Sequence, residues 1–251
     1  MAIKGIDVSK YQGKIDWPAV KADGVEFAII RCGYANSDGS ITKDPCYETN
    51  MTGAIAAGIH VGVYVYSYVS TVAAARVAAR NVLRMVQGYK VTYPLMWDYE
   101  NAKISVKLTK AQNSAVCKAA LSEWEVAGWY AMLYTYKSFT ESYLDMDALA
   151  AYDFWLAHYT SKTSYKGAYG IWQYTSSGRV GGIAGRVDMN WAYKDYPAII
   201  ANACLNKQAA PAKRYVVRTG KVSDGDAKKL YAVLKAEADK LGNISVEKVE
   251  V

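Results

Sequence analysis

The chain has 251 residues, of which 52% are hydrophobic and 13% aromatic, enough apolar material for the core of a barrel-sized domain. This composition excludes a disordered protein, and no apolar run approaches the roughly 18 residues that a membrane span requires. The net charge of +7 favours an anionic partner, such as nucleic acid, a membrane surface or a charged cell wall. The sequence has neither an arginine-rich run nor an aromatic RNA-binding signature, which argues against nucleic acid as the partner.

Tyrosine is unusually frequent, with 22 Tyr and 7 Trp against 3 Phe. Such rings suit stacking on sugars, and they suit half-buried positions at a domain surface equally well. His60 and His158 are the two histidines, HExxH is absent, and the four cysteines are too far apart for a CxxC motif. We therefore predict no metal site, two structural histidines and four reduced cysteines.

Apolar β-rich runs alternate with helix-like stretches through the first 200 residues, which predicts an α/β fold. The predicted strands are Ile3–Asp7, Phe27–Arg31, Val61–Tyr66, Leu95–Asp98, Tyr130–Tyr134, Phe154–Ala157, Gly170–Gln173 and Gly185–Asp188. Helices are clearest over Tyr47–Ala57, Val72–Val86 and Lys110–Val126. The helices shorten after Gly128, so we expect an irregular TIM-like β/α barrel of about eight strands.

A different organisation is predicted for the C-terminal part of the chain. We expect a barrel over residues 1–200, a linker over 201–213 and a small βαβ unit over 214–251. That unit would consist of a strand at Tyr215–Thr219, a charged helix at Asp224–Leu241 and a strand at Ile244–Val249. It is too small to bury much core alone. We therefore expect it to pack on the barrel, to form a homodimer, or to bind the cell wall through its basic surplus.

The segment PLMWDYE, residues 94–100, is an apolar strand that ends in two carboxylates, Asp98 and Glu100. Side chains two residues apart on a strand share a face, and active-site groups of α/β barrels collect where the strands end. Two neighbouring carboxylates allow one to hold a proton while the other stays ionised, as glycosidic cleavage requires. An isolated DxE motif more often simply ends a strand without a catalytic role. The apolar run before Asp98 and Glu100 argues against that interpretation here.

Two more acids follow predicted strands, Asp7 and Asp188. If the strands are parallel, both converge with Asp98 and Glu100 in one acidic pocket, where repulsion raises their proton affinity. Four carboxylates could instead bind Ca²⁺ or Mg²⁺, although the DxDxDG spacing of a calcium loop is missing. Within the pair we expect Glu100 to be less solvated than Asp98, because a general acid must hold its proton near neutral pH.

Four segments in this order resemble family 25 lysozymes: DVSKYQG with IDW at residues 7–17, WDYE at 97–100, WQYTS at 172–176 and VDMN at 187–190. The likeness covers residues 3–196. It implies a flattened barrel of mixed strand direction and no cofactor. It also implies hydrolysis of the β-1,4 bond between N-acetylmuramic acid and N-acetylglucosamine in bacterial peptidoglycan.

The resemblance also implies roles for individual residues. Glu100 would be the proton donor, while Asp98 would either stabilise the oxocarbenium-like state or position the acetamido group of the substrate. Asp7 and Asp188 would hydrogen-bond the substrate and tune the pair. The expected sugar contacts are Tyr64, Tyr66, Tyr134, Trp155 and Gln173. The family often has His at the position of Tyr66, which leaves the role of this residue open.

Two classes of function fit these features, an enzyme and a non-catalytic glycan-binding barrel. A binding barrel would keep the aromatic residues and could lose the acids, so the intact acids favour the enzyme. The first residues contain no apolar signal segment, so we predict no signal peptide. That predicts a phage or prophage endolysin released from the cytoplasm, or a secreted wall enzyme whose leader has been removed.

Overall fold

A computed structural model describes residues 2–207 and 224–241 of the chain. Nine strands of this part form one sheet, in which eight strands close into a barrel. The strands are β1 (Ile3–Val8), β2 (Phe27–Ala35), β3 (Ile41–Lys43), β4 (His60–Ser67), β5 (Leu95–Asp98), β6 (Ala131–Tyr136), β7 (Asp153–Ala157), β8 (Ile171–Gly178) and β9 (Val187–Ala192). The sheet order is β1-β9-β8-β7-β6-β5-β4-β2-β3, and pairing of β1 with β2 closes the barrel and leaves β3 outside it.

The barrel has mixed strand direction, because β9 runs antiparallel to both of its neighbours, β8 and β1. The other barrel strands are parallel. The irregular α/β barrel predicted from the sequence is therefore confirmed. The bounds of the last predicted strand, Gly185–Asp188, are wrong, because Gly185 has a φ of 111° in a turn and the strand begins at Val187.

Eight α-helices and one 3₁₀ turn, Lys10–Gln12, accompany the strands in the described residues. The helices are α1 (Trp17–Ala22), α2 (Tyr47–Ala56), α3 (Val72–Met85), α4 (Ala102–Ser105), α5 (Lys110–Val126), α6 (Lys137–Tyr143), α7 (Tyr196–Asn202) and α8 (Asp224–Leu241). Thr109 caps α5 in a capping box with Gln112, which satisfies backbone donors at the start of the helix. None of these helices is both long and apolar enough to cross a membrane.

Two apolar layers follow from the alternation of side chains along the strands. The outer layer packs between strands and helices, and it includes Trp97 and Trp124 with ring centroids 6.1 Å apart. The inner layer fills the barrel, where Phe27 stacks on Tyr93 at 4.5 Å near the start of the parallel strands. The buried carboxylates Asp7 and Asp98 lie at the other end of the interior, where the parallel strands finish.

The end of the barrel domain is fixed by Asn206. Its side-chain amide donates to the carbonyls of Val91 at 3.2 Å and Tyr93 at 2.9 Å, and its side-chain oxygen accepts from the Tyr130 amide at 2.8 Å. The predicted linker thus begins within α7 and still contacts the barrel at residue 206.

The chain divides into two compact units, Met1–Gln208 and Ala209–Val251. Within the second unit, α8 has the bounds predicted for the charged helix. The two predicted tail strands, at Tyr215–Thr219 and Ile244–Val249, lie outside the described residues. The βαβ organisation and its boundaries therefore stay predictions.

Candidate active site

Four carboxylates meet at the end of the barrel where the parallel strands finish. Asp7 lies near the end of β1, and Asp188 is its direct cross-strand partner on β9. Asp98 is the last residue of β5, and Glu100 follows two residues later. Asp188 reaches the same end because β9 runs the opposite way and begins there. Asp7 interacts electrostatically with Asp188 and Glu100, and Asp98 with Glu100 and Asp7, so the four carboxyl groups lie near one another.

Asp98 is more buried than Glu100, so the expectation that Glu100 would be the less solvated acid is wrong. Asp98 is 3% exposed, whereas Glu100 is half-buried. The reason is that β5 ends at Asp98, which leaves Glu100 beyond the paired strand at the rim. Tyr99, between them, packs in the outer core and donates its hydroxyl to Asn113 Oδ1 at 2.7 Å.

Glu100 borders a cleft of about 520 Å³, within the usual range of ligand sites. The cleft is lined by Glu100, Tyr134, Tyr136, Lys137, Ser138, Ala157, His158 and Tyr159. These residues lie in β6, at the end of β7, in the first turn of α6, and in the segments that follow β5 and β7. Aromatic faces, hydroxyls and one carboxylate together form a surface suited to a polar ligand with apolar faces, such as a sugar.

A hydrogen-bond network holds Asp7 in place. Asp7 Oδ2 accepts from Gln173 Nε2 and from Asn190 Nδ2, each at 2.8 Å. Trp155 Nε1 donates to Asn190 Oδ1 at 2.8 Å. The hydroxyls of Tyr134 and Tyr159 both donate to Gln173 Oε1 at 2.9 Å. The two amides are thereby oriented with their N–H groups toward the carboxylate.

The expected sugar contacts occupy two depths. Trp155 and Gln173 are enclosed, and the Trp155 ring packs against Tyr134 at 4.3 Å and Tyr64 at 6.0 Å between ring centroids. Tyr66 is half-buried and is the register partner of Asp98. In this structure Gln173 bonds Asp7 directly, Trp155 bonds it through Asn190, and Tyr134 lines the cleft. Their roles as sugar contacts stay predictions.

Burial raises the pKa values of all four carboxyls, and repulsion between neighbouring acids adds to the effect at Asp7, Asp98 and Glu100. Burial, with a smaller contribution from repulsion by Asp188, raises the pKa of Glu100 to about 7. Burial raises the pKa of Asp188 to about 6. The pKa values of Asp7 and Asp98 are raised well above the usual range, again chiefly by burial. Repulsion from Asp188 adds to the effect at Asp7, and repulsion from Glu100 adds to it at Asp98. Glu100 therefore gains and loses its proton near neutral pH.

The alternative of a divalent cation site finds no support in residues 2–207 and 224–241, where no three His, Cys, Asp or Glu side chains are grouped as metal ligands would be. The two histidines bond hydroxyls through Nδ1, His60 to Thr92 at 3.0 Å and His158 to Thr163 at 2.8 Å. His158 also borders the cleft.

The sequence interpretation missed three residues of the site. Asn190 follows Asp188 by two positions in β9, so strand alternation from Val187 would have placed it beside Asp7. Arg31 interrupts the apolar run of β2 and forms a buried ion pair with Asp44, and a charge within such a run is a usable signal. Tyr159 lies in a loop after β7, and no pattern in the sequence indicates its contact with Gln173.

The sequence profile of glycosyl hydrolases family 25 matches residues 6–183. Lysozyme M1 of Streptomyces globisporus is 29% identical over 212 residues, which cover 75% of this chain and 67% of that protein. The structure resembles the bacterial lysozyme from Streptomyces coelicolor, with a TM-score of 0.68, 26% identity and coverage of 83% and 99% of the two chains.

The modular autolysin LytC from Streptococcus pneumoniae gives a TM-score of 0.68 at 28% identity, covering 76% of this chain. This chain spans 47% of the length of that autolysin. The family profile covers more than half of the chain and contains Asp7, Asp98 and Glu100. The chain therefore belongs to glycosyl hydrolases family 25 and is a glycoside hydrolase.

Proposed function

We propose that this glycoside hydrolase is a muramidase that cleaves the β-1,4 bond between N-acetylmuramic acid and N-acetylglucosamine in bacterial peptidoglycan. The observation that carries the proposal is Glu100, a half-buried acid with a pKa of about 7 at the rim of a cleft, two residues from the buried Asp98. The similar proteins are lysozymes and autolysins, and LytC has been solved with a synthetic peptidoglycan ligand.

Glu100 is the proton donor in this proposal. Its pKa of about 7 leaves about half of the molecules with this carboxyl protonated at neutral pH, so it can protonate the glycosidic oxygen as the bond to the leaving sugar breaks. Its place at the rim lets a sugar reach the carboxyl from the cleft. Desolvation by the bound sugar would raise the pKa further and keep the proton in place until transfer.

Asp98 orients the acetamido group of the substrate. One of its oxygens, Oδ1, is buried without a hydrogen-bond partner among the described residues, and such an acceptor costs about 1–3 kcal/mol until a donor reaches it. The acetamido N–H of the sugar is such a donor. Its carbonyl oxygen then faces the anomeric carbon. Burial raises the pKa of Asp98, but the positive charge that develops at the anomeric carbon favours the ionised carboxylate, which in turn stabilises that charge.

Asp7 and Asp188 complete the site. Asp7 is fixed by two amide donors on one oxygen, which leaves its other oxygen for a sugar hydroxyl. Asp188 is half-buried, and its charge raises the pKa of Glu100. Removing Asp188 would therefore lower the proton affinity of Glu100, and removing Asp7 would remove a substrate contact.

The direct test is digestion of purified peptidoglycan, with turbidity followed and the new reducing-end sugars identified. We expect N-acetylmuramic acid at the new reducing ends. N-acetylglucosamine there would show cleavage of the other glycosidic bond. Binding to the wall without any new reducing end would show a non-catalytic glycan-binding barrel.

We propose that the unit at residues 209–251 attaches the enzyme to intact walls, which would serve lysis by an endolysin or a secreted autolysin. The segment 206–251 contains ten basic and six acidic residues, a surplus that suits an anionic wall polymer. The second candidate role is homodimerisation.

Removal of residues 209–251 tests this proposal. The shortened chain keeps Asn206 and its contacts with the barrel, so only the second unit is lost. We expect the shortened protein to cut short soluble muropeptides at close to the full-length rate and to co-sediment less with intact walls. Light scattering of both proteins measures their oligomeric state. Aggregation of the shortened chain, or its loss of all activity, would contradict an independent attachment unit.

A further inference from the structure

A β-bulge turns Tyr34 toward the active-site end of the barrel. The register of β2 on β4 shifts between Arg31 and Gly33, so that Arg31 lies opposite Tyr64 and Tyr34 lies opposite Tyr66. Residues three apart on a regular strand point to opposite faces. The extra residue reverses the alternation, and both Arg31 and Tyr34 share the face that carries Tyr64 and Tyr66.

A buried ion pair fixes the rings around this bulge. Arg31 Nε donates to Asp44 Oδ2 at 2.8 Å, and the two side chains are 6% and 0% exposed. The Arg31 guanidinium lies 4.5 Å from the centroid of the Tyr34 ring and 5.1 Å from that of Tyr11. A cation beneath two aromatic faces attracts both. Arg31 therefore contacts both rings and holds Tyr11 and Tyr34 together.

Tyr11 is 74% exposed, yet its backbone is rigidly held. It lies in the 3₁₀ turn, where Ser9 and Gln12 form a capping box. The amide of the preceding Lys10 donates to the same Asp44 oxygen at 3.1 Å. A large exposed ring contributes little to the core. Because its backbone is already held in a turn, it loses little conformational entropy when a ligand binds.

Tyr11, Tyr34 and Tyr68, here called the tyrosine platform, continue into the active site. Tyr34 lies 5.9 Å from Tyr68 and 5.8 Å from Tyr66, and Tyr66 lies 5.0 Å from Tyr68, all between ring centroids. Tyr66 is in turn the register partner of Asp98. In the barrel order, β2 and β4 precede β5, and the strands that line the 520 Å³ cleft follow it. The platform and the cleft thus flank the acids on opposite sides.

The platform also carries positive charge. Lys10 Nζ lies 5.5 Å from the centroid of the Tyr11 ring, and Lys10 is exposed. Arg31 is neutralised by Asp44, whereas none of the ion pairs in the part of the chain that the structure describes includes Lys10. A cation beside a stacking ring favours a ligand in which a flat apolar face adjoins an anionic group.

We propose that the tyrosine platform is a distal subsite that stacks a pyranose ring of the glycan strand, remote from the bond that is cut, and that Lys10 selects a sugar with a carboxylate-bearing substituent. This proposal rests on the proposed function, because it assigns the platform to the same polymer. A strand bound across the acids would contact the cleft on one side and the platform on the other.

The test compares kcat/KM on peptidoglycan glycans of increasing length for the wild type, Tyr11→Ala and Tyr68→Ala. Tyr193→Ala is the matched control, since Tyr193 is 46% exposed and follows the end of β9 away from the acids. We expect the ratio of long-glycan to short-glycan kcat/KM to fall about three- to tenfold in the platform variants, the size of an aromatic stacking contact. We expect no change of this ratio in Tyr193→Ala. An unchanged ratio in Tyr11→Ala and Tyr68→Ala would overturn the subsite.

Calorimetric titration of a long uncut glycan into Glu100→Gln, with and without Tyr11→Ala, separates this proposal from the proposed function. If Tyr11→Ala weakens binding to Glu100→Gln while the wild type cuts no glycan, the platform stands and the muramidase function is overturned. If the wild type cuts glycan and Tyr11→Ala leaves binding unchanged, the muramidase function stands and the platform is overturned.

The charge preference has its own pair of variants. Lys10→Gln should weaken binding of peptide-bearing glycans up to about fivefold, as for an exposed ion pair, and salt should reduce the difference. Binding of chitin oligosaccharides, which lack carboxylates, should change less. Lys14→Gln is the control, because Lys14 is an exposed lysine beyond the turn. Equal effects of Lys10→Gln on both glycans would overturn the anionic preference.

Discussion

The four acids form two groups that differ in depth. Asp7 and Asp98, the floor acids, are 5% and 3% exposed. Asp7 is bound by two amides, and the pKa values of both floor acids are raised well above the usual range by burial. Glu100 and Asp188, the rim acids, are half-buried, with pKa values of about 7 and about 6.

The difference shows how depth in the barrel mouth selects the task of a carboxyl group. A floor acid is enclosed by its neighbours, and two amides fix the orientation of Asp7. A rim acid is less enclosed, whether it follows the last paired residue, as Glu100 does, or lies within a paired strand, as Asp188 does. It meets substrate and solvent, so it can exchange its proton. With all four pKa values raised, the site carries fewer than four negative charges at neutral pH, which lowers the repulsion that an anionic glycan meets.

The largest effect is expected from Glu100→Gln, which keeps the size of the rim side chain and removes the transferable proton. Turnover should fall by at least about 10²-fold, with little change in the midpoint of thermal unfolding. Asp98→Asn should be nearly as damaging, because it removes the negative charge opposite the developing cation. Initial rates on purified walls, with circular dichroism as the folding control, measure both. Retention of more than about a tenth of the activity by Glu100→Gln would refute its role as general acid.

A second prediction concerns pH. The donor must be protonated, so kcat/KM should decrease as pH rises through about 7, the pKa of Glu100, by about tenfold per pH unit beyond it. Asp188 raises the pKa of Glu100, so Asp188→Asn should move this alkaline limb to lower pH. Rates across pH 4–9 on a soluble muropeptide show both effects. If the alkaline limb stays in place in Asp188→Asn, the charge of Asp188 does not raise the pKa of Glu100. The two rim acids would then titrate independently and could not be treated as one group.

Much of the site could be predicted from the sequence, because it lies where strands end. Asp98 and Glu100 follow a short apolar run, and the run predicts both the strand and its end. The sequence predicts the correct end of the barrel for Asp188, but from a strand with the wrong bounds and direction. The predicted strand ended at this residue, whereas β9 begins just before it and runs the other way. The two errors cancel, since a strand that starts at the active-site end presents its first residues there.

The supporting contacts could not be predicted in the same way. Which residue faces Asp7 depends on the register of β8 and β9, whose pairing contains two irregularities. The rotation of Tyr34 depends on a bulge after Arg31, and a one-residue shift reverses every facing side chain. The relative exposure of Asp98 and Glu100 depends on where pairing of β5 stops. These are tertiary features, which local periodicity does not encode.

The smallest effect is expected where the floor is supported, in Asn190→Ala. This variant removes one of the two amide donors to Asp7 and the acceptor of Trp155 Nε1, leaving buried polar groups unpaired. The free energy of unfolding should fall by about 1–3 kcal/mol, and kcat/KM should fall by about tenfold or less, because Gln173 still holds Asp7. Asn206→Ala is the matched control, since the buried Asn206 side chain forms the hydrogen bonds to Tyr130, Val91 and Tyr93 at the far end of the barrel. It should lose stability and keep its turnover. Urea denaturation and initial rates test both variants, and equal losses of turnover would mean that the Asn190 amide stabilises the barrel without positioning Asp7.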